Sequence, residues 1–397
     1  MIHPMSKRDC CGCEACVQIC PKHCITFVED SEGFMYPSVE ESRCIDCHLC
    51  EKVCPVLNPF EPVEPVETYA AKAKSQDDLI ASSSGGLFIT VAKSILQEGG
   101  VVFGAAFDEG FMTVSHCYTE QSDELRKLIG SKYLQSRIGN SFAKIKTFLD
   151  TGRKVLFCGT GCHVLALKRF LQRDYENLLT IDLICHGVPS PKVWQRYLKE
   201  IESLQIPNKA HIKHISFRDK RISWENYSFS ITYSKELKNG YSDTGLLSHE
   251  FIKNPYIWLY LNDLTLRPSC FACPAKCGKS HSDFTIGDYW GIELTYPELY
   301  DNKGVGLLIV NTDKGKQYIE SLAIEKQLTS IDEATTENPL YYHSKSEPKK
   351  RQLFFQMFNN DNKSINELAA LFKKETISEK GKKLMKRVIR AIKKRIL

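Results

Sequence analysis

Cys10, Cys13, Cys16 and Cys20 are followed by Pro21, and Cys44, Cys47, Cys50 and Cys54 are followed by Pro55. The same Cys-x2-Cys-x2-Cys-x3-Cys-Pro spacing therefore occurs twice. This is the run that holds 4Fe–4S clusters in bacterial ferredoxins, where the fourth cysteine of each run serves the other cluster. Three closely spaced thiolates can meet three corners of a cubane, and the remaining corner needs a ligand from elsewhere. The expected sets are thus crossed: Cys10, Cys13, Cys16 and Cys54 for one cluster, and Cys44, Cys47, Cys50 and Cys20 for the other. Gly12 and Ala15 leave backbone N–H groups free to bond cluster sulfurs. Cys11 and Cys24 fall outside the spacing and read as buried or spare thiols.

Two rival readings of the cysteines are weaker. A disulfide framework suits secreted chains, but Met1 to Arg8 lacks the apolar run of a secretion signal, and 17 cysteines is an odd number. Zinc sites favour paired Cys-x2-Cys units over triplets with a remote fourth ligand. Thiol richness without a secretion signal points to a reducing cytoplasm.

The chain has 397 residues, which suits a small module plus a larger body. No apolar stretch is long enough to span a membrane. The net charge of +5 is unevenly spread: Lys380 to Leu397 carries six Lys, three Arg and no acid, or +9, which leaves 5 − 9 = −4 for the rest. Met1 to Phe60 is acidic, with nine Asp/Glu against five Lys/Arg. That balance fits an electron-transfer surface and argues against nucleic acid as a partner.

The elements that must position these cysteines change character after Phe60. From Pro55 to Pro65 there are four prolines in eleven residues, a composition that favours a stiff, extended connection. Beyond it, strands are expected at Tyr69 to Lys74, Val101 to Phe107, Val155 to Cys158 and Leu178 to Leu183. Helices are expected at Gly85 to Gln97, Ser141 to Asp150, Cys162 to Leu171 and Lys192 to Leu204. Ile212 to Phe217 and Tyr227 to Tyr233 read as strands of a later β-rich part, and Phe354 to Phe372 reads as helical. The fold class is α+β: a ferredoxin-like two-cluster module over residues 1–60, a linker at 61–68, a mixed α/β domain at 69–345, and a helical basic tail at 346–397.

Several stretches of the body stand out in order: Ser82-Ser83-Ser84-Gly85-Gly86, Gly130-Ser131-Lys132-Tyr133-Leu134-Gln135-Ser136, Gly159-Thr160-Gly161-Cys162-His163, and Asp182-Leu183-Ile184-Cys185-His186-Gly187. Arg267-Pro268-Ser269-Cys270-Phe271-Ala272-Cys273 and Gly287-Asp288-Tyr289-Trp290-Gly291 follow. Their ordered set, from about Tyr69 to Asn311, resembles the coenzyme F420 hydrogenase/dehydrogenase beta subunit family of iron–sulfur flavoproteins. The family usually has Gly-Thr-Pro-Cys where this chain has Gly159-Thr160-Gly161-Cys162, a change that keeps the turn and loosens it.

The resemblance implies FAD in the body, with Ser83, Ser84, Gly85 and Gly86 at the phosphates and Lys132, Gln135 and Ser136 near the flavin. Physically, the glycines of Ser82 to Gly86 permit close backbone approach, and the helix behind them offers free N–H groups and a positive dipole end. Taken alone, a serine/glycine helix cap without ligand is the commoner meaning. No GxGxxG fingerprint supports a nicotinamide site.

Cys162, Cys185, Cys270, Cys273 and Cys277 form a second cysteine group. Cys162, Cys185, Cys270 and Cys273 could ligate a third 4Fe–4S cluster, with Cys277 as substitute. Core thiols are the alternative, as is zinc at Cys270, Cys273 and Cys277 with His281. His186, Asp288 and Trp290 fit structural roles as well as site roles, and no general acid is assigned.

In the tail, Leu384, Val388, Ile392 and Ile396 recur at helical spacing among Lys and Arg. This is the pattern of a helix on the inner face of an anionic membrane, or of a solvated basic terminus. The expected function is transfer of electrons between a one-electron donor, ferredoxin or another redox protein, and an organic small-molecule substrate, through the clusters and FAD. The alternative is an electron-relay subunit without a substrate site.

Overall fold

The computed structural model describes residues 1–237 and 242–373; the apolar stripe and basic run beyond Lys380 lie outside the described residues. The N-terminal module is built on a hairpin of β1 (Ile25–Glu29) and β2 (Met35–Val39), antiparallel with Ile25 opposite Val39. Each cysteine run enters a short helix, Ala15–Ile19 or Leu49–Lys52, behind a left-handed residue, Glu14 or His48 (both φ 58°). Gly12 (φ 74°) and Asp46 (φ 51°) repeat that handedness two positions earlier. Left-handed residues alternating with right-handed ones turn successive N–H groups toward one concave side, where an anion is favoured. Asp46 faces solvent, so a side chain fits there. At Gly12 a Cβ would stand 2.5 Å from Gln135 Nε2 and 2.9 Å from Arg267 Nη1, so any other residue would both strain the backbone and displace these two side chains.

The body is a mixed α/β domain. Its large sheet contains β3 (Glu67–Ala73), β4 (Val101–Phe107), β5 (Val114–Thr119), β6 (Ser136–Arg137), β7 (Val155–Thr160) and β8 (Leu178–Leu183). An antiparallel three-stranded sheet follows, of β9 (Ala210–Asp219), β10 (Ser228–Glu236) and β11 (Ser242–Glu250). The chain then returns to the large sheet with β12 (Phe284–Asp288), β13 (Gly306–Val310) and β14 (Ile324–Thr329). The large sheet runs β14-β3-β13-β12-β8-β7-β4-β5-β6. At its centre β12, β8, β7 and β4 are mutually parallel, and antiparallel strands flank them.

The parallel strands are buried on both faces, which is why Val101-Val102-Phe103, Val155-Leu156-Phe157 and Leu178 to Ile181 read as unbroken apolar runs. Leu87, Val91 and Ile95 place one side of helix Leu87–Gln97 on the sheet face formed by Val102, Leu156 and Ile181. Helices Ser141–Asp150 and Gly161–Leu171 cover the opposite face through Ile145, Leu149, Val164 and Leu167. Cys11, Cys13, Ala15 and Val53 join that second core, so the cysteine module packs directly on the body.

Three departures from the sequence expectations have clear causes. The Phe354 to Phe372 segment forms two helices, Arg351–Asn360 and Ile365–Lys373. Between them Asp361 is extended, and Arg196 bonds the carbonyls of Asp361 and Lys363. The proline-rich segment is held by docking as well as by composition. Arg169 bonds the carbonyl oxygens of Asn58 (2.7 Å) and Pro59 (2.9 Å) and lies 3.7 Å over the Phe60 ring, which itself stacks on His281. Strands β5, β12, β13 and β14 have no counterpart among the expected strands; in β12, Gly287 and Asp288 dilute the strand pattern.

Candidate functional site

The structure sets Cys20 of the first run beside the cysteines of the second, the neighbourhood that the crossed assignment expects. Cys20, Cys44, Cys47 and Cys50 line one hollow, with Cys24 beside them, its thiol 3.4 Å from that of Cys20. Cys16 is buried, and desolvation first, then the charges of Cys10, Cys54 and Cys50, push its thiol pKa far up. Cys13 likewise feels Cys16 and Cys10, and Cys54 feels Cys10. Thiols so desolvated and crowded stay protonated on their own; a cationic iron core is the kind of group that would deprotonate them together. The residues therefore fit two clusters.

The second cysteine group also converges. Burial first, then Cys185, Cys273 and Cys162, raise the Cys270 thiol; Cys185 is pushed up to about 12 by burial, and Cys162 and Cys273 add to it. Cys273 rises to about 11 from burial and Cys162. Val188 N–H donates to Cys270 Sγ at 3.3 Å, as N–H groups do to ligating sulfurs. Cys277 lines a small hollow with Cys185 and Cys273, and its thiol donates to the Tyr342 carbonyl at 3.3 Å. His281 is taken up by Phe60 and the Glu61 carbonyl (2.9 Å), which disfavours the zinc arrangement.

The spacing gives Cys11 no role, yet it joins the two regions. It is buried in the same core as Cys13, with Cys162 packed against that core. No signal in the run could reveal this, because Cys162 is remote in sequence.

Beside this group lies a cavity of about 480 Å³ at the carboxyl ends of the parallel strands. Gly104 of β4, Cys158 and Thr160 of β7, Leu183 of β8 and Asp288 of β12 contribute to its wall. Ligands of open α/β sheets bind at this edge. Ser82, Ser83, Ser84, Gly85 and Gly86 line it, as do Lys132 and Ser136; Gln135 does not. Gln135 instead donates to the Cys11 carbonyl (3.1 Å) and accepts from Arg267 (2.9 Å).

The serine/glycine segment joins helix Gln76–Ala81 to helix Leu87–Gln97, so the helix opens at Leu87 behind left-handed Gly86 (φ 77°). No side chain caps this helix start. A Cβ on Gly85 would lie 2.6 Å from the Ala71 carbonyl, so only glycine lets this segment press on β3. The serine hydroxyls are engaged within the chain: Ser82 donates to Asp78 O, Ser84 to Val305 O, and Ser83 Oγ accepts from Ser131 N–H at 2.8 Å. An anion placed here would meet backbone N–H groups more than hydroxyls.

Lys132 donates to the carbonyls of Ile129 (3.0 Å) and Gly130 (3.1 Å), and burial lowers its ammonium pKa to about 8. Ser136 Oγ lies 2.8 Å from His116 Nδ1, and His116 Nε2 lies 3.1 Å from the Cys158 carbonyl. Burial depresses His116 to about 4, so the ring is neutral: Nε2–H donates to Cys158 and Nδ1 accepts from Ser136. Arg218 pairs with Asp288 at 2.6 Å, and His186 with Asp263 at 2.7 Å. Among the described residues, His163 Nδ1, Arg218 Nε and Asp288 Oδ1 are buried without a partner, and all three residues face the cavity. Unpartnered polar atoms around a cavity of this size fit a polar organic ligand.

At the family-divergent position, a Cβ on Gly161 would be 3.0 Å from both Ala275 Cβ and Asp182 Oδ2. Glycine there permits close packing of the Ala275 segment.

Fold and cysteine arrangement thus define an iron–sulfur protein with a two-cluster module on a mixed α/β body. Residues 9–58 match the 4Fe-4S dicluster domain, and residues 152–336 match the family described as coenzyme F420 hydrogenase/dehydrogenase, C terminus of the beta subunit. The second match lies within the body and agrees with the resemblance read from its motifs. A chain of a solved structure on xenon derivatization of the F420-reducing NiFe hydrogenase complex from Methanosarcina barkeri is 14% identical, with 67% of this chain and 83% of that one covered and a TM-score of 0.44. No curated protein matches the chain. Among the described residues, no helix is long and apolar enough to cross a membrane.

Proposed function

We propose that the protein is an oxidoreductase that moves electrons between a redox partner and an organic substrate, through 4Fe–4S clusters and FAD. The observation that carries this reading is the placing of the cysteines: Cys11, Cys13 and Cys162 pack in one core between the N-terminal module and the body, and Cys185 lines the cavity wall. When bound, the clusters supply single electrons and FAD interconverts one- and two-electron chemistry.

Cys10, Cys13, Cys16 and Cys54 would hold one cluster, Cys20, Cys44, Cys47 and Cys50 the second, and Cys162, Cys185, Cys270 and Cys273 a third between module and cavity. The free N–H groups at Leu87 and the close-packed Gly85 and Gly86 would bind the FAD pyrophosphate. Lys132 would offset negative charge on the isoalloxazine, and Ser136 would hold His116 beside it. Cys47 is exposed, so the second cluster would face a donor such as ferredoxin or another redox protein. The deazaflavin coenzyme is one candidate substrate, on the family's description alone.

The test is anaerobic purification with iron, sulfide and released flavin quantified. About one FAD with roughly twelve irons per chain supports the full scheme, and roughly eight removes the third cluster. Iron without flavin, even after incubation with FAD, removes the reductase reading and leaves an electron-relay subunit.

A further inference from the structure

Three arginines of the described residues are more than nine-tenths buried: Arg218, Arg267 and Arg351. Arg218 is neutralised by Asp288 and Arg351 by Glu32. Arg267 is fully buried, yet among the described residues no carboxylate pairs with it. Its guanidinium donates from Nε to the Cys10 carbonyl (2.8 Å), from Nη1 to Gln135 Oε1 (2.9 Å), and from Nη2 to the Met35 carbonyl (2.9 Å) and Cys10 Sγ (3.6 Å). Tyr36 and Phe34 flank it, with ring centroids at 4.3 and 5.4 Å. The acids nearest Tyr36 are engaged elsewhere, Asp30 with Lys7 and Glu32 with Arg351.

A buried cation surrounded only by dipoles is costly unless an anion completes it. Four thiolates around an iron–sulfur cubane carry net negative charge, and reduction adds to it. We propose that Arg267 is the built-in countercharge of the cluster at Cys10, Cys13, Cys16 and Cys54, raising its reduction potential relative to the cluster at Cys20, Cys44, Cys47 and Cys50. This rests on the cluster assignment above. The positive charge beside the Cys10 sulfur stabilises the reduced cluster more than the oxidised one. Among the described residues the outer hollow has no buried arginine: Lys22 on its wall is exposed, and Met1's ammonium is shared with Glu51 at 2.7 Å and Asp46. An electron arriving at the exposed Cys47 side is therefore drawn inward, toward Cys11 and Cys162.

The test is an anaerobic redox titration of the full-length holoprotein followed by electron paramagnetic resonance. The inner cluster is assigned by the signal lost in Cys16→Ala, and iron and sulfide are counted in every sample. At the potential where the wild-type inner cluster is half reduced, Arg267→Gln is expected to lower its reduced-to-oxidised ratio at least tenfold, equivalent to 59 mV for one electron. The outer cluster should not move. Arg267→Lys, which keeps the charge and loses the planar fork, should remain within about threefold of wild type. If Arg267→Gln loses iron, Gln135→Glu carries the test: it leaves Arg267 in place, sets a carboxylate against Nη1, and should lower the same ratio. Full iron with an unmoved inner potential, or an equal shift of all clusters, overturns the proposal. A wild-type chain that binds no iron after reconstitution overturns the cluster assignment first.

Discussion

Gln135 Nε2 donates to the carbonyl oxygen of Cys11 at 3.1 Å, so a side chain of the body closes on the backbone of the first cysteine run. Glu14 of the same run reaches back, accepting from Arg137 Nε and from Gly139 N–H at 2.6 Å. These contacts cluster within a few residues of each other on both sides. They make the module a fixed part of the body, which favours electron transfer over a set distance.

Gly12 is where this join is tightest. Gly12→Ala should lower stability by about 2–4 kcal/mol, from left-handed strain and overlap with Gln135 and Arg267. Gly139→Ala, also left-handed (φ 58°) but with nothing within 4 Å of its Cβ, should cost only about 1 kcal/mol. Chemical denaturation of both variants, with iron counted, makes the comparison. Equal losses would mean that packing at Gly12 is unimportant.

Crossed ligation has its own signature. Cys20 lines the hollow of Cys44, Cys47 and Cys50, not the group of its own run. Cys20→Ala should therefore damage the outer cluster and leave the signal that depends on Cys10, Cys13 and Cys16. Loss of the inner signal alone would reverse the assignment.

His116 is neutral in the fold, with its pKa depressed to about 4 chiefly by burial. The unfolded chain binds the proton more readily, at its ordinary value of about 6.5. Stability is therefore complete above about pH 6.5 and falls as pH drops toward 4. The loss from this group should approach about 3 kcal/mol. His163, also buried and depressed, adds in the same direction. Urea denaturation between pH 4 and 7 measures the slope, and His116→Gln should flatten it. An unchanged slope in that variant would remove His116 as its source.

Under the proposed function, Lys132 should make FAD binding pH-dependent. Its ammonium, lowered to about 8 by burial, is charged at neutral pH and loses its proton above that value. FAD affinity should hold below about pH 8 and decline above it, because an anionic ligand favours the protonated lysine. Lys132→Met should weaken binding about tenfold at pH 7, ~1.4 kcal/mol, and abolish the pH trend. Flavin fluorescence titration reads both effects. The same pH trend in wild type and variant would exclude Lys132.

Much of the fold could be read locally. Helix Ser141–Asp150 and strands Val101–Phe107 and Leu178–Leu183 coincide with their sequence expectations, since unbroken apolar runs and helical periodicity are properties of short windows. Strand β12 escaped because it gains its place from pairing with β8 and β13 rather than from its own residues. The glycine of Gly159-Thr160-Gly161-Cys162 looked like a loosened turn; contact with Ala275, distant in sequence, makes it a close-packing position.

The two cysteine runs, their spacing and their following prolines were determined by the sequence alone, because cluster ligation demands thiols at short fixed intervals. Tertiary structure alone decided that Cys11 and Cys13 share a core with Cys162, that Gln135 serves the module rather than the cavity, and that Arg267 is buried with no carboxylate partner among the described residues. Each of these depends on groups brought together from far apart in the chain. Burial and charge compensation are properties of that assembled neighbourhood, which no local spacing encodes.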